Sequence, residues 1–198
     1  MRNPPPLKLG ILGSGRGSNF IAISDAIRAR QLHATVSLVI SDLADAPILS
    51  LARARGYRTW ACPAGRFKTK LEPDLEAQLA AQLRAADIDL VILAGYMRVV
   101  KTPLLAAFPR RIINIHPSLL PAFPGLQAWA QALAAGATVS GCTVHYVNEI
   151  LDGGDIIAQA RVPVLPGDTP ETLHTRIQAE EHWLLPAVVG RFAAGKSA

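Results

Sequence analysis

Long apolar runs are missing from this chain: no stretch approaches the ~18 residues that a membrane-spanning helix needs. The opening Met1-Arg-Asn-Pro-Pro-Pro6 also lacks the apolar core of a secretory leader. Cysteine is scarce. Cys62 and Cys142 lie far apart in no metal-spaced cluster, each in or beside an apolar stretch. Two buried free thiols in a reducing cytoplasm are therefore expected, rather than a disulfide. No dense basic run accompanies the formal charge of +5, and Lys and Arg are not interleaved with aromatics. That argues against a nucleic-acid partner; small phosphorylated or polyglutamylated ligands fit the charge equally well, as does plain surface composition. His116, His145 and Asp152 show no recognisable ligand spacing, so no metal is expected. The expectation is a soluble, cytoplasmic protein, monomer or homodimer, with no membrane partner.

What is present points to one α/β domain. Apolar residues make up 50% and aromatics only 6%, which suits a helix-covered sheet rich in Ala, Leu, Val and Ile. No repeat, heptad pattern, low-complexity tract or linker divides the 198 residues. The reading is a proline-rich, disordered lead at 1–7, one catalytic domain at 8–192 and a frayed tail at 193–198.

Strand-like and helix-like segments alternate. Strands are predicted at 8–13, 34–41, 57–61, 89–95, 111–115, 138–147 and 156–164. Helices are predicted from residue 19 to about 30, then at 45–55, 73–86, 104–108 and 125–135, with a last one from Pro170. Asp42 or Asp45 is the candidate cap of the second helix, and Thr169 or Asp168 that of the last. Leu75, Leu79 and Leu83 form one apolar stripe. Such alternation predicts a single-domain, doubly wound, mostly parallel sheet with helices on both faces, a Rossmann-like arrangement. The last two strands are joined by a loop, which predicts an antiparallel edge.

Two stretches carry chemistry. Residues 111–115 read as a buried strand that Pro117 stops. Asn114 and His116 are two apart, so both side chains leave one face of that strand at its carboxyl end, where open α/β sheets bind ligands. Downstream, Leu151-Asp-Gly-Gly-Asp155 offers the Asp152 carboxylate on a glycine-rich loop. A carboxamide, an imidazole and a carboxylate suit acyl-group transfer without a covalent intermediate: one donates to an oxyanion, one moves a proton, one sets the charge. Ser118 has no evident partner base and suits turn chemistry. The second stretch, Ser14-Gly-Arg-Gly-Ser-Asn19, links the first strand to the first helix and suits either a phosphate or a simple tight turn. It breaks the dinucleotide fingerprint at Ser18 and has no Gly-Lys-Ser/Thr ending, so neither a dehydrogenase nor a Walker loop is supported.

Together Asn114-Ile-His-Pro-Ser-Leu-Leu-Pro121, Gly141-Cys-Thr-Val-His145 and Asp152-Gly-Gly154 resemble the signature of the folate-dependent formyltransferase superfamily. Gly15-Arg-Gly-Ser-Asn19 is similar to the branch of it that formylates glycinamide ribonucleotide. The resemblance covers about residues 8–192. It implies formyl transfer from 10-formyltetrahydrofolate, as cosubstrate, to a small phosphorylated amine in de novo purine synthesis. It implies Asn114, His116 and Asp152 as catalytic residues, and Gly17, Ser18, Asn19, Gln178 and Glu181 as contacts of the ribonucleotide. For the folate it implies Lys70, Met97, Arg98, Val99, Val100 and Asn114. His145, on one strand face with Thr143 and Val147, is read as a satisfied structural histidine, with support of the site residues as the alternative.

The chain also departs from the family. Gln127 and Trp129 replace two histidines, lysine stands at position 70 in place of an arginine, and Asp155 follows the carboxylate loop where proline is common. Asp155 would raise the proton affinity of Asp152 if the two approached each other. Two related activities, formyltetrahydrofolate deformylase and methionyl-tRNA formyltransferase, usually bring an extra domain for which this length leaves no room. A non-catalytic nucleotide-binding module is the remaining rival, and retention of all three polar residues argues against it.

Overall fold

A computed structural model describes residues 5–195. Its elements run β1 (Leu7–Leu12), α1 (Ser18–Arg28), β2 (Ala34–Ser41), α2 (Pro47–Ala54), β3 (Thr59–Ala61), α3 (Pro73–Ala85) and β4 (Leu90–Leu93). They continue with α4 (Thr102–Ala107), β5 (Ile112–His116), α5 (Ala128–Ala134), β6 (Val139–Tyr146), β7 (Ile156–Pro163) and α6 (Pro170–Ala193). The seven strands form one sheet in the order β3-β2-β1-β4-β5-β6-β7. The first five pair in parallel, whereas β5–β6 and β6–β7 are antiparallel, so the predicted antiparallel edge is present.

Alternation along the strands divides the core in two. Leu9, Ile11, Ile113 and Ile115 face one cluster, which also takes Phe20, Ile23, Ile48, Leu49, Leu185 and Val189 from α1, α2 and α6. Leu12, Ile40, Val91 and Ile112 face the other, filled by Leu79 and Leu83 of α3 and Leu104 of α4. Each face of a parallel sheet is thus covered, as buried parallel strands require. Because Ile113 and Ile115 point into the first cluster, Asn114 and His116 emerge on the opposite face.

The predicted boundaries need several corrections. Leu7 already belongs to β1, and residues 1–4 of the predicted lead lie outside the described residues, as do 196–198 of the tail. Helix α6 continues to Ala193, and Thr169 caps it with a reciprocal Thr169–Thr172 capping box. Helix α2 starts at Pro47 with no side-chain cap. Asp42 is engaged elsewhere, in a buried ion pair with Arg98, and so cannot serve as that cap. Helix α5 starts at Ala128 rather than 125, because Gly125 (φ 80°) and Gln127 (φ 54°) adopt left-handed backbone that cannot propagate a right-handed helix. Both cysteines are buried and free.

Candidate active site

The strand order turns back between β1 and β4, and at their carboxyl ends lies a cavity of about 580 Å³. Residues 15–19 after β1, 94–99 after β4 and 114–117 at the end of β5 form its floor. Gly125, Leu126, Gln127, Trp129, Leu151 and Asp152 close it from the loops, and His174, Gln178 and Glu181 line it from α6.

One end of the cavity gathers the carboxamide, imidazole and carboxylate. His116 Nδ1 lies 3.4 Å from Asp152 Oδ2, with both side chains almost fully buried. The other ring nitrogen, Nε2, is 2.9 Å from the Phe123 carbonyl, to which it donates. Each ring nitrogen of His116 thus faces an oxygen acceptor. Asp152 also accepts a backbone N–H from Gly125 at 2.8 Å, and it holds its place with a left-handed φ of 51°, a conformation Asp tolerates better than most residues. The Asp155 carboxylate turns instead to Arg110 at 3.0 Å on the surface, away from Asp152.

His145 belongs to this cluster. It is the direct cross-strand partner of Asn114 in the β5–β6 register, and its Nε2 lies 3.1 Å from Asn114 Nδ2. Its Nδ1 donates to the Tyr146 carbonyl at 2.8 Å, which leaves Nε2 as the acceptor of the Asn114 amide. Burial lowers its proton affinity, the acidic neighbour Asp152 only partly offsetting this, so the neutral acceptor form is the favoured one. The bond fixes which way the Asn114 amide points: Nδ2 has one hydrogen held by His145, and among the described residues its second makes no hydrogen bond, at a residue that lines the cavity. This bond matches the second of the two expectations for His145, a histidine that supports the site residues. Thr143, paired with His116 in the same register, accepts from Leu120 N–H and donates to the Ser118 carbonyl, pinning the loop that follows β5. Ser118 Oγ donates to the Ala122 carbonyl at 2.6 Å, the turn chemistry expected of it.

The opposite end is built from the loop after β1 and from α6. Gly17 has φ 79°, a Cβ there would meet Ile48 at 2.9 Å, and no side chain caps α1. Free first-turn N–H groups at a helix amino end suit an anion. Asn19 donates to Glu181 across 2.9 Å, and its Oδ1 is buried with no partner among the described residues. Burial pushes the Glu181 carboxyl up to about 7, although the Asn19 bond works in the other direction. Gly17, Ser18, Asn19, Gln178 and Glu181 are thus brought together in the lining of this cavity.

The side wall is held by a buried network. Asp42 accepts from Ser14 Oγ at 2.5 Å and from Arg98 Nε at 2.6 Å, and Ser14 Oγ accepts the Met97 N–H at 3.0 Å. Arg98 also donates to the Phe67 and Lys70 carbonyls. Met97, Arg98 and Val99 line the main cavity, and Val100 lines a smaller recess of about 70 Å³ beside it. The Arg98 guanidinium is committed to this scaffold. Lys70 reaches neither space: its ammonium lies over the Phe67 ring, 5.0 Å from its centre. Sequence reasoning missed Ser14 and Asp42, whose only local sign was a short polar residue at each strand exit.

The Formyl transferase family model matches residues 7–189. Phosphoribosylglycinamide formyltransferase of Escherichia coli is 40% identical over 96% of this chain and 89% of its own length. The Trifunctional purine biosynthetic protein adenosine-3 of Drosophila pseudoobscura pseudoobscura is 44% identical over 98% of this chain, which spans only 14% of that longer protein. The solved structure of glycinamide ribonucleotide transformylase 1 from Symbiobacterium toebii is 50% identical, covers 96% of this chain and 89% of its own, and superposes with a TM-score of 0.91.

Proposed function

The chain belongs to the formyl transferase family, and on that premise we propose that it transfers the formyl group of 10-formyltetrahydrofolate to the amine of glycinamide ribonucleotide. The observation that carries this reading is the convergence of Asn114, His116 and Asp152 at one end of a cavity whose other end is an uncapped helix terminus. A phosphorylated substrate seated at residues 17–19 can extend along Gln178 and Glu181 toward the reactive cluster. The folate then occupies the wall made by residues 97–100. Its tail is not assigned to Lys70, whose side chain lies away from the cavity.

The amine nitrogen attacks the formyl carbon, and the carbonyl oxygen becomes an oxyanion. The free Nδ2 hydrogen of Asn114 donates to that oxygen in a buried setting, where a fixed donor is worth far more than in water. His116, in its protonated form, adds positive charge beside it, with the Asp152 carboxylate 3.4 Å from its Nδ1. The bond from the formyl carbon to the folate nitrogen then breaks, and the proton lost by the amine reaches the leaving nitrogen, relayed by His116 or through water. No nucleophilic side chain is required.

Absorbance-monitored turnover of 10-formyltetrahydrofolate, with and without glycinamide ribonucleotide, tests the proposal. The expected result is deformylation that depends on the ribonucleotide and yields formylated product. Formate release independent of the ribonucleotide would instead identify a hydrolase.

A further inference from the structure

We propose that His174, stacked on Trp129, is a second cationic arm of the anion-binding end of the cavity and takes up a proton from solvent when a phosphate monoester binds there. The proposal rests on the reading of residues 15–19 as the seat of the ribonucleotide phosphate. It deepens that reading by assigning a residue that the resemblance does not supply.

Position comes first. His174, Gln178 and Glu181 fall at i, i+4 and i+7 of α6, so they form one stripe, and all three line the cavity. Glu181 is tied to Asn19 in the first turn of α1, which sets this stripe against the uncapped helix terminus. The His174 ring lies 3.7 Å from the Trp129 ring at an interplanar angle of 8°. Among the described residues its nitrogens make no hydrogen bond, so the stack holds the ring in place and leaves both nitrogens available.

Charge comes second. Helix α5 carries no ionisable side chain. On α1, Asp25 pairs with Arg55 at 2.5 Å. On α6 itself, Arg176 pairs with Asp168 at 2.7 Å, and the acids are Glu171, Glu180 and Glu181, the last buried against Asn19. Across the cavity, His116 and Asp152 pair with each other, and His145 is turned to Asn114. Arg16 is the cation that acts on His174, and after burial it is the second cause that lowers the proton affinity of the imidazole. A phosphate dianion between them reverses that contribution, since an opposite charge within a few ångströms favours the cationic ring. The flat face of Trp129 favours it as well.

Calorimetry of glycinamide ribonucleotide binding near pH 7, in buffers of different ionisation enthalpy, reads the protons taken up. The unmodified protein should take up a substantial fraction of a proton more than His174→Gln, and His174→Gln should bind the ribonucleotide about tenfold more weakly. The dephosphorylated glycinamide riboside should show neither difference. Equal proton uptake in the two proteins, with the ribonucleotide still bound, would overturn the role of His174 and leave the phosphate reading intact. Failure of the ribonucleotide to bind the unmodified protein would overturn both. An NMR titration of the His174 ring, with and without saturating inorganic phosphate, is independent of any variant. An upward move of its titration with phosphate supports the proposal, and no move refutes it.

Discussion

At the Asn114 end of the cavity the polar side chains already hold one another, whereas at the Asn19 end several wait for a partner. His116, His145 and Asp152 are each held by two or more contacts from different parts of the chain. Asn19 Oδ1 is buried without a partner, the helix terminus has no cap, and the His174 nitrogens are unbonded among the described residues. A reactive end gains from donors fixed before the substrate arrives, because no reorganisation is then needed at the moment of reaction. A binding end gains from groups whose hydrogen bonds the ligand completes, because an analogue lacking the matching atoms then leaves them unsatisfied. On the proposed reading, the two ends are built for different tasks.

Substitutions can break this contrast in order of size. Asn114→Ala should reduce kcat by about 10²–10³ while the ribonucleotide Kd changes little, because one oxyanion donor is lost. Steady-state kinetics beside calorimetry would show it, and parallel losses in turnover and thermal stability would make Asn114 structural instead. His145→Ala should cost roughly tenfold to a hundredfold in kcat, with the ribonucleotide Kd again unchanged, since it frees the Asn114 amide to rotate. A matching loss of ribonucleotide affinity would contradict the division into two ends.

Glu181→Gln addresses the waiting end through pH. The Glu181 carboxyl has a higher proton affinity folded (about 7) than its ordinary value of 4.5. Its burial therefore favours the fold most below about pH 4.5, and that advantage is lost as pH rises through about 7. Denaturant unfolding should show the unmodified protein losing up to roughly 3 kcal/mol over that window relative to Glu181→Gln. Identical slopes for the two proteins would remove the buried-acid account. Ser14→Ala should have the smallest effect, about 1–3 kcal/mol of stability and a few-fold rise in the KM for the folate, since Asp42 and the Met97 N–H each lose a partner. A rise in the ribonucleotide KM instead would show that the side wall does not serve the folate alone.

Much of this was legible in one dimension. The strand–helix alternation needs only the apolar periodicity, and the placement of Asn114 and His116 on one face needs only their spacing in a strand. The glycine loop before α1 is legible as the turn from strand to helix, and leaves a phosphate seat and a simple tight turn both open. The helix at 125–135 was misplaced because Gln127 gives no sign of its left-handed backbone. The direction of the Lys70 side chain, over the Phe67 ring, was not legible, because position in a polar loop says nothing about which way a long side chain turns.

The sequence by itself determined the sheet, its ligand-binding edge and the residue types brought to it, since these follow from local periodicity and turn chemistry. Only the tertiary structure decided that His145 orients Asn114, that Asp42 clamps Arg98 rather than capping α2, and that Trp129 stacks on His174. Each of those contacts joins residues far apart in the chain. Antiparallel register, burial and helix packing create them, and none leaves a periodic trace in the residues on either side.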